Sequence, residues 1–107
     1  MSSLDTINAV VFREGDLWII QGIELDIVAR ASDVADAPEA FMRAVLDNAV
    51  ITEDLGRPPL AGIRPAPERF RLMFERAKTA LSLVQDVTFP RLPVNDVNLR
   101  LSSEAAA

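Results

Sequence analysis

Glu24 and Asp26 stand two residues apart in the stretch Gly22-Ile23-Glu24-Leu25-Asp26. At that spacing two carboxylates can share a metal ion or divide general-acid and general-base work between them. Nothing else in the chain completes such a centre. Histidine and cysteine are both absent, which removes the usual base near neutral pH, the thiolate nucleophile and the commonest metal ligands. Hydrolysis on two metal ions needs several carboxylates converging on one point, and no such set stands near this pair. The pair reads as an acidic loop or as a contact for another protein. The chain is expected not to be an enzyme and to hold neither metal nor cofactor.

Two other features have binding chemistry. Trp18, the single tryptophan, either fills volume on a sheet or anchors a partner, because tryptophan is enriched among residues that dominate binding energy. Arg64, Arg69, Arg71, Arg76 and Lys78 make the one basic concentration. Recognition of single-stranded RNA wants aromatic rings interleaved with such charge, but Phe70 and Phe74 fall on the apolar side of the same helical pattern. RNA is therefore not expected as a partner. The candidate contact residues are Trp18, Glu24, Asp26, Arg69 and Arg76, with a solvated surface as the plainer reading of each.

These residues must be positioned by short elements. Ile7, Ala9 and Val11 alternate with Asn8, Val10 and Phe12, so a first strand has apolar residues on both faces. Glu14-Gly15-Asp16 is a hairpin turn, and Leu17 to Gln21 the returning strand. Gly22 to Leu25 is a longer join whose apolar residues fold back on the sheet, and a third strand follows from Asp26 to Ser32. Asp33 starts a helix as an N-cap, with Pro38 confined to its first turn. Ala37, Phe41, Ala44, Val45, Asn48, Ala49 and Thr52 keep one face of it, and Met42, Leu46 and Val50 widen that face. Phe41 should penetrate deepest. Gly56 supplies a left-handed stop.

Arg57 to Pro65 is a proline-rich loop that packs on the body through Leu60 and Ile63. Pro67 opens a second amphipathic helix, with Phe70, Met73, Phe74, Ala77, Leu81 and Val84 on one side. Val97, Leu99 and Leu101 then alternate with Asn98, Arg100 and Ser102 in a final strand, and the tail 103–107 is expected to fray.

A chain of 107 residues is one domain that folds without staples. No run reaches the length of a membrane span, and Met1 to Thr6 lacks the pattern of a signal peptide. A cytoplasmic protein without membrane contact is the expectation. The net charge of −5 is uneven: residues 1–55 hold eleven acidic and three basic groups, residues 56–107 five and eight. An acidic first half repels phosphate backbones and attracts basic partners.

Val10-Val11-Phe12-Arg13-Glu14-Gly15-Asp16-Leu17-Trp18-Ile19-Ile20-Gln21-Gly22, then Glu24 to Ala29, the helix from Ala37 to Leu46 and the closing Val97 to Leu101 together resemble the HicB-like antitoxin domain, in its small standalone form. The resemblance implies an α+β fold of two layers, a degraded ribonuclease-H-like sheet packed on one helix: a three-stranded antiparallel meander, a helix packed on it, and a final strand beside the first, to which this chain's own pattern adds a further helix before the last strand. A parallel pairing of first and last strands needs the helical crossover that this chain supplies.

It also implies a single domain whose function is to bind and block a small basic toxin, HicA. Two features depart from the family. Six residues follow Leu101, too few for the DNA-binding module that many members carry, and residues 57–84 form an inserted helical segment. Autoregulation at DNA is therefore not expected. A homodimer is expected, because the two-faced first strand leaves apolar surface that one helix cannot cover. The alternative function is a small-ligand or sensory domain with its pocket between the inserted helix and the sheet.

Overall fold

Alternate residues of the first strand enter two different cores in the computed structural model, which describes residues 6–81 and 96–103. Strand β1 (Thr6–Glu14) turns into β2 (Leu17–Gly22) through two residues, the first of which, Gly15, takes φ +61°. Positive φ at that position matches the hairpin to the strand twist, and glycine accepts it without a Cβ clash. β3 (Val28–Ala31) follows, and a 3₁₀ turn at Val34–Asp36 leads into helix α1 (Ala37–Asp54). Asp33 caps that turn by accepting from the Ala35 amide at 3.0 Å, and Pro38 falls in the first turn of α1, where its missing N–H costs nothing.

α1 ends in a Schellman motif. The Arg57 amide donates to the Thr52 carbonyl at 3.0 Å and the Gly56 amide to Glu53 at 2.9 Å, with Gly56 at φ +78°. The chain then rounds the end of the sheet beside residues 23–26, held there by Asp26 N–H to Arg64 C=O (2.7 Å) and Ala66 N–H to Ile23 C=O (3.0 Å). Leu60 holds this loop to α1. It is buried, it takes φ +67°, and its amide donates to Thr52 Oγ1 at 2.8 Å.

Helix α2 (Glu68–Arg76), strand β4 (Thr79–Leu81) and strand β5 (Asp96–Leu101) complete the fold. The result is an α+β protein with one mixed five-stranded sheet in the order β3-β2-β1-β5-β4. β5 runs parallel to β1, with Ile7 beside Val97 and Ala9 beside Leu99, and all other neighbours are antiparallel. No helix among the described residues is long and apolar enough to cross a membrane.

One face of the sheet carries Ile7, Ala9, Val11, Ile20, Ala29, Ala31, Val97 and Leu99 against Phe41, Met42, Val45 and Ala49 of α1. The other carries Val10, Phe12 and Ile19, with Ile23 from the join, against Phe70, Met73 and Phe74 of α2. Phe12 and Phe70 stack with ring centroids 5.9 Å apart. The apolar second face of β1, the premise for expecting a dimer, is thus covered within one chain.

The second helix is shorter than its periodicity predicts. It stops at Arg76, Ala77 turns to extended backbone (φ −75°, ψ 129°), and Thr79–Leu81 pair with Leu99–Leu101 instead. Leu81 keeps helical spacing from Phe74 and Ala77, yet it packs with the α1-side core while Phe74 packs with the other. Apolar spacing does not distinguish a continuing helix from a change of face, and β-branched Thr79 favours the strand. The expected continuation to Val84 lies outside the described residues. On α1, Met42 joins the buried face as expected, but Leu46 and Val50 do not; both are exposed.

Candidate functional site

Where the pairing of β1 with β2 ends, at Ala9 opposite Gly22, the next residue of β1 needs another partner for its amide. Glu24 supplies it. Its Oε1 accepts from the Asn8 backbone N–H and its Oε2 from Asn8 Nδ2, both at 2.7 Å. Asn8 Oδ1 in turn accepts from Asn98 Nδ2 at 3.1 Å, across the parallel β1–β5 pair. One carboxylate therefore closes a polar ladder over three segments of chain. Asp26 faces another way, accepting from Gln21 Nε2 at 2.7 Å, and the same amide also donates to the Gly22 carbonyl.

The two carboxylates are engaged with different partners inside their own chain. Among the described residues, no group of three or more Asp, Glu, His or Cys could hold a metal ion. Glu24→Ala is expected to destabilise the fold by about 1 kcal/mol, since it leaves a part-buried strand amide without an acceptor. Chemical denaturation measures this. An unchanged midpoint would mean that water replaces the carboxylate and that the ladder does not hold β1.

Trp18 is half-buried against the α1-side core, with the Arg13 guanidinium 5.6 Å from its ring centroid. That placement fits a sheet residue with one face at the rim. Arg69 is exposed on α2 with its guanidinium 4.6 Å from the Phe70 ring centroid, and Arg76 is exposed in the last turn of the same helix, where a cation offsets the negative end of the dipole. The five candidates do not form one surface. Glu24 and Asp26 lie at the exit of β2, Trp18 near its start on the α1 side, and the two arginines on α2.

Arg100 escaped sequence reasoning. Its guanidinium lies 4.3 Å over the Phe74 ring and donates to the Phe74 carbonyl at 3.3 Å, fastening α2 to β5. The alternation in the last strand placed Arg100 away from Leu99 and Leu101 but could not show that a helix end would lie above it.

The charge difference between the two halves of the sequence becomes a difference between two faces. On the α1 side Asp33, Asp36, Glu39, Asp47, Glu53 and Asp54 are all exposed, against Arg43, which is paired with Glu39 at 3.0 Å, Arg30, which lines a cleft with Asp36, Glu39 and Arg43, and Arg57 just past the helix end. On the α2 side Arg69, Arg71, Arg76 and Lys78 are exposed together with Glu68, which is paired to Arg71, and Glu75. The α1 side also exposes large apolar residues: Leu46, Val50, Ile51 and Leu55 are 44%, 57%, 56% and 65% accessible. Compared with known proteins, the chain has no significant match to a protein-family model, a curated protein sequence or a solved structure.

Proposed function

We propose that this chain is a non-catalytic protein-interaction domain of the HicB-like antitoxin kind, which binds a small basic protein and blocks it by covering its surface. The observation that carries this reading is the outward face of α1 and its approach, where six exposed carboxylates outnumber Arg43 on the helix and Arg30 and Arg57 at its two ends. Such a face raises the rate of encounter with a cationic protein and rejects nucleic acid. The parallel return of β5 beside β1 agrees with the strand order that the resemblance implies.

A small-ligand function would need open space beside Phe70 and Phe74. Those rings pack instead on Val10, Phe12, Ile19 and Ile23, so a protein partner is preferred. With both faces of β1 covered inside one chain, the complex proposed is between unlike proteins and not a homodimer. Affinity purification of the tagged chain from its native cell at low ionic strength should recover a stoichiometric basic protein. That protein should be released as salt is raised, because attraction between exposed charges is screened. Recovery of no stoichiometric partner, or of one that is acidic, would overturn the proposal.

A further inference from the structure

The sheet order leaves β3 without a neighbour on one side. In an antiparallel pair, residues that exchange hydrogen bonds with the facing strand alternate with residues that do not. The Gly22 amide donates to the Ile27 carbonyl, and the same register sets Ile20 opposite Ala29 and Trp18 opposite Ala31. Ala29 and Ala31 therefore bond inward to β2, and the N–H and C=O of Val28 and Arg30 point out of the edge. Asp26, two residues before Val28, shows that direction, since its amide leaves the sheet for the Arg64 carbonyl. Among the described residues, no loop, turn or cap hydrogen bond reaches the main chain of Val28 or Arg30. An edge with free main-chain groups is a template for another strand.

The side chains select which strand. Ala29 and Ala31 face α1, so Val28 and Arg30 stand on the opposite face. A cleft of about 300 Å³ lies between residues 30–32 and Asp36, Glu39, Ala40 and Arg43, the bottom of the range for small-molecule pockets and room for one long side chain. Glu39 is paired with Arg43, while Asp36 has no ion pair among the described residues and its side chain makes no cap hydrogen bond. In a strand laid antiparallel on β3, the residue across from Ala31 points to α1. A basic side chain there runs its stem over Ala31 and Ala40 and brings its charge to Asp36. The next residue, across from Arg30, lies on the other face and is matched by a carboxylate. Two further on, the residue across from Val28, which is 42% exposed, is apolar.

We propose that β3 takes up an extended segment of another protein carrying this order: basic, acidic, any residue, apolar. A second copy does not fit. Pairing β3 with itself about Arg30 sets two arginines opposite one another, and pairing about Val28 or Ala29 runs residue 30 or 32 of the second copy past Asp26, whose amide is already taken. The inference rests on the interaction-domain reading and adds to it the edge and the form of the partner segment.

The test uses the full chain and a labelled peptide, Thr-Val-Lys-Glu-Thr-Val-Thr. One control exchanges its lysine and glutamate, and a second carries N-methyl groups on the amides that would pair with Arg30 and Val28. Fluorescence anisotropy gives affinity, and amide hydrogen exchange locates the site. In the free chain Val28 and Arg30 should exchange faster than Ala29 and Ala31, and saturating peptide should slow both by about tenfold or more. Both controls should bind at least about tenfold more weakly. Asp36→Asn and Arg30→Glu should each weaken binding by about threefold or more, and a peptide with lysine in place of its glutamate should recover the loss at Arg30→Glu. Leu72→Ser on α2 should leave binding unchanged. All of these positions are exposed, so circular dichroism should show an intact fold in every variant.

Equal binding of either control peptide, or protection centred on another element, would overturn the edge as the site while leaving a basic partner standing. So would failure of the first peptide to bind when the native cell yields a basic partner. A dimer by sedimentation equilibrium that Arg30→Pro dissolves, by removing an edge amide, would assign the edge to a second copy and overturn the inference as well. Absence of any basic partner would overturn the broader reading, and this inference with it.

Discussion

Phe41→Ala should lower stability by about 3–5 kcal/mol, the range for truncating a fully buried aromatic ring. Phe41 is fully inaccessible and is the largest of the completely buried side chains among the described residues. Its ring is the main projection of α1 into the sheet, and its Cζ would lie 3.3 Å from a Cβ placed on Gly22. A domain of this size has about 5–15 kcal/mol in all, so the variant should keep a small fraction of that margin or unfold in part at ordinary temperature. The measurement is a denaturant titration with the slope compared as well as the midpoint, because an unchanged slope shows that stability and not compactness has moved. Leu46→Ala, at an exposed position on the same helix, should shift the midpoint by less than about 0.5 kcal/mol. A loss at Phe41 below about 1 kcal/mol would mean that α1 is not seated on the sheet as described.

The contrast between those two positions shows how far sequence patterning reaches. Phe41 and Leu46 both fit an apolar helix face when spacing alone is counted, yet one is at the centre of the core and the other is exposed. Leu46 and Val50 widen the apolar arc beyond what the sheet can cover, and the limit is set by the sheet's width, which no local window contains. Strand alternation was the most legible feature, since it assigned Ile7, Ala9 and Val11 to one face and Val10 and Phe12 to the other. It also posed the question of what covers the second face. α2 answers it, and the means by which α2 gets there, a loop bonded to residues 23–26, depends on contacts distant in sequence.

β4 was illegible for a different reason. It has three residues, and Leu81 keeps helical spacing while the backbone has already left the helix. Glu24 was legible as a charged residue but not as the end of a ladder, because its partner Asn8 lies 16 positions upstream and Asn98 pairs with Asn8 across 90. The acidic character of the first half was plain from composition. That it would gather on the exposed side of one helix, beside apolar residues, followed only when α1 was seated.

Gly22→Ala is expected to be costly for a reason that conformational preference does not supply. Gly22 has no positive φ; what it lacks is room. A methyl group there would stand 2.5 Å from the Leu25 carbonyl oxygen, 3.3 Å from that of Ile27 and 3.3 Å from Phe41 Cζ. The chain folds back so closely because the Gly22 amide donates to the Ile27 carbonyl at 2.8 Å, drawing the 22–27 join over the strand end. Overpacking of this kind costs typically 1–3 kcal/mol and more where backbone must move, and here the shortest contact is backbone. The same movement would displace Glu24 from Asn8, so the exchange protection of the Asn8 amide should fall together with global stability. Gly15→Ala is the control. Its φ of +61° opposes a side chain but its surroundings are open, and the loss should stay near about 1 kcal/mol. Combining Gly22→Ala with Phe41→Leu separates the two contacts. If the carbonyl sets the limit, the shortened side chain should give no rescue. A double variant more stable than Gly22→Ala alone by over about 1 kcal/mol would show that the ring and not the backbone holds the position closed.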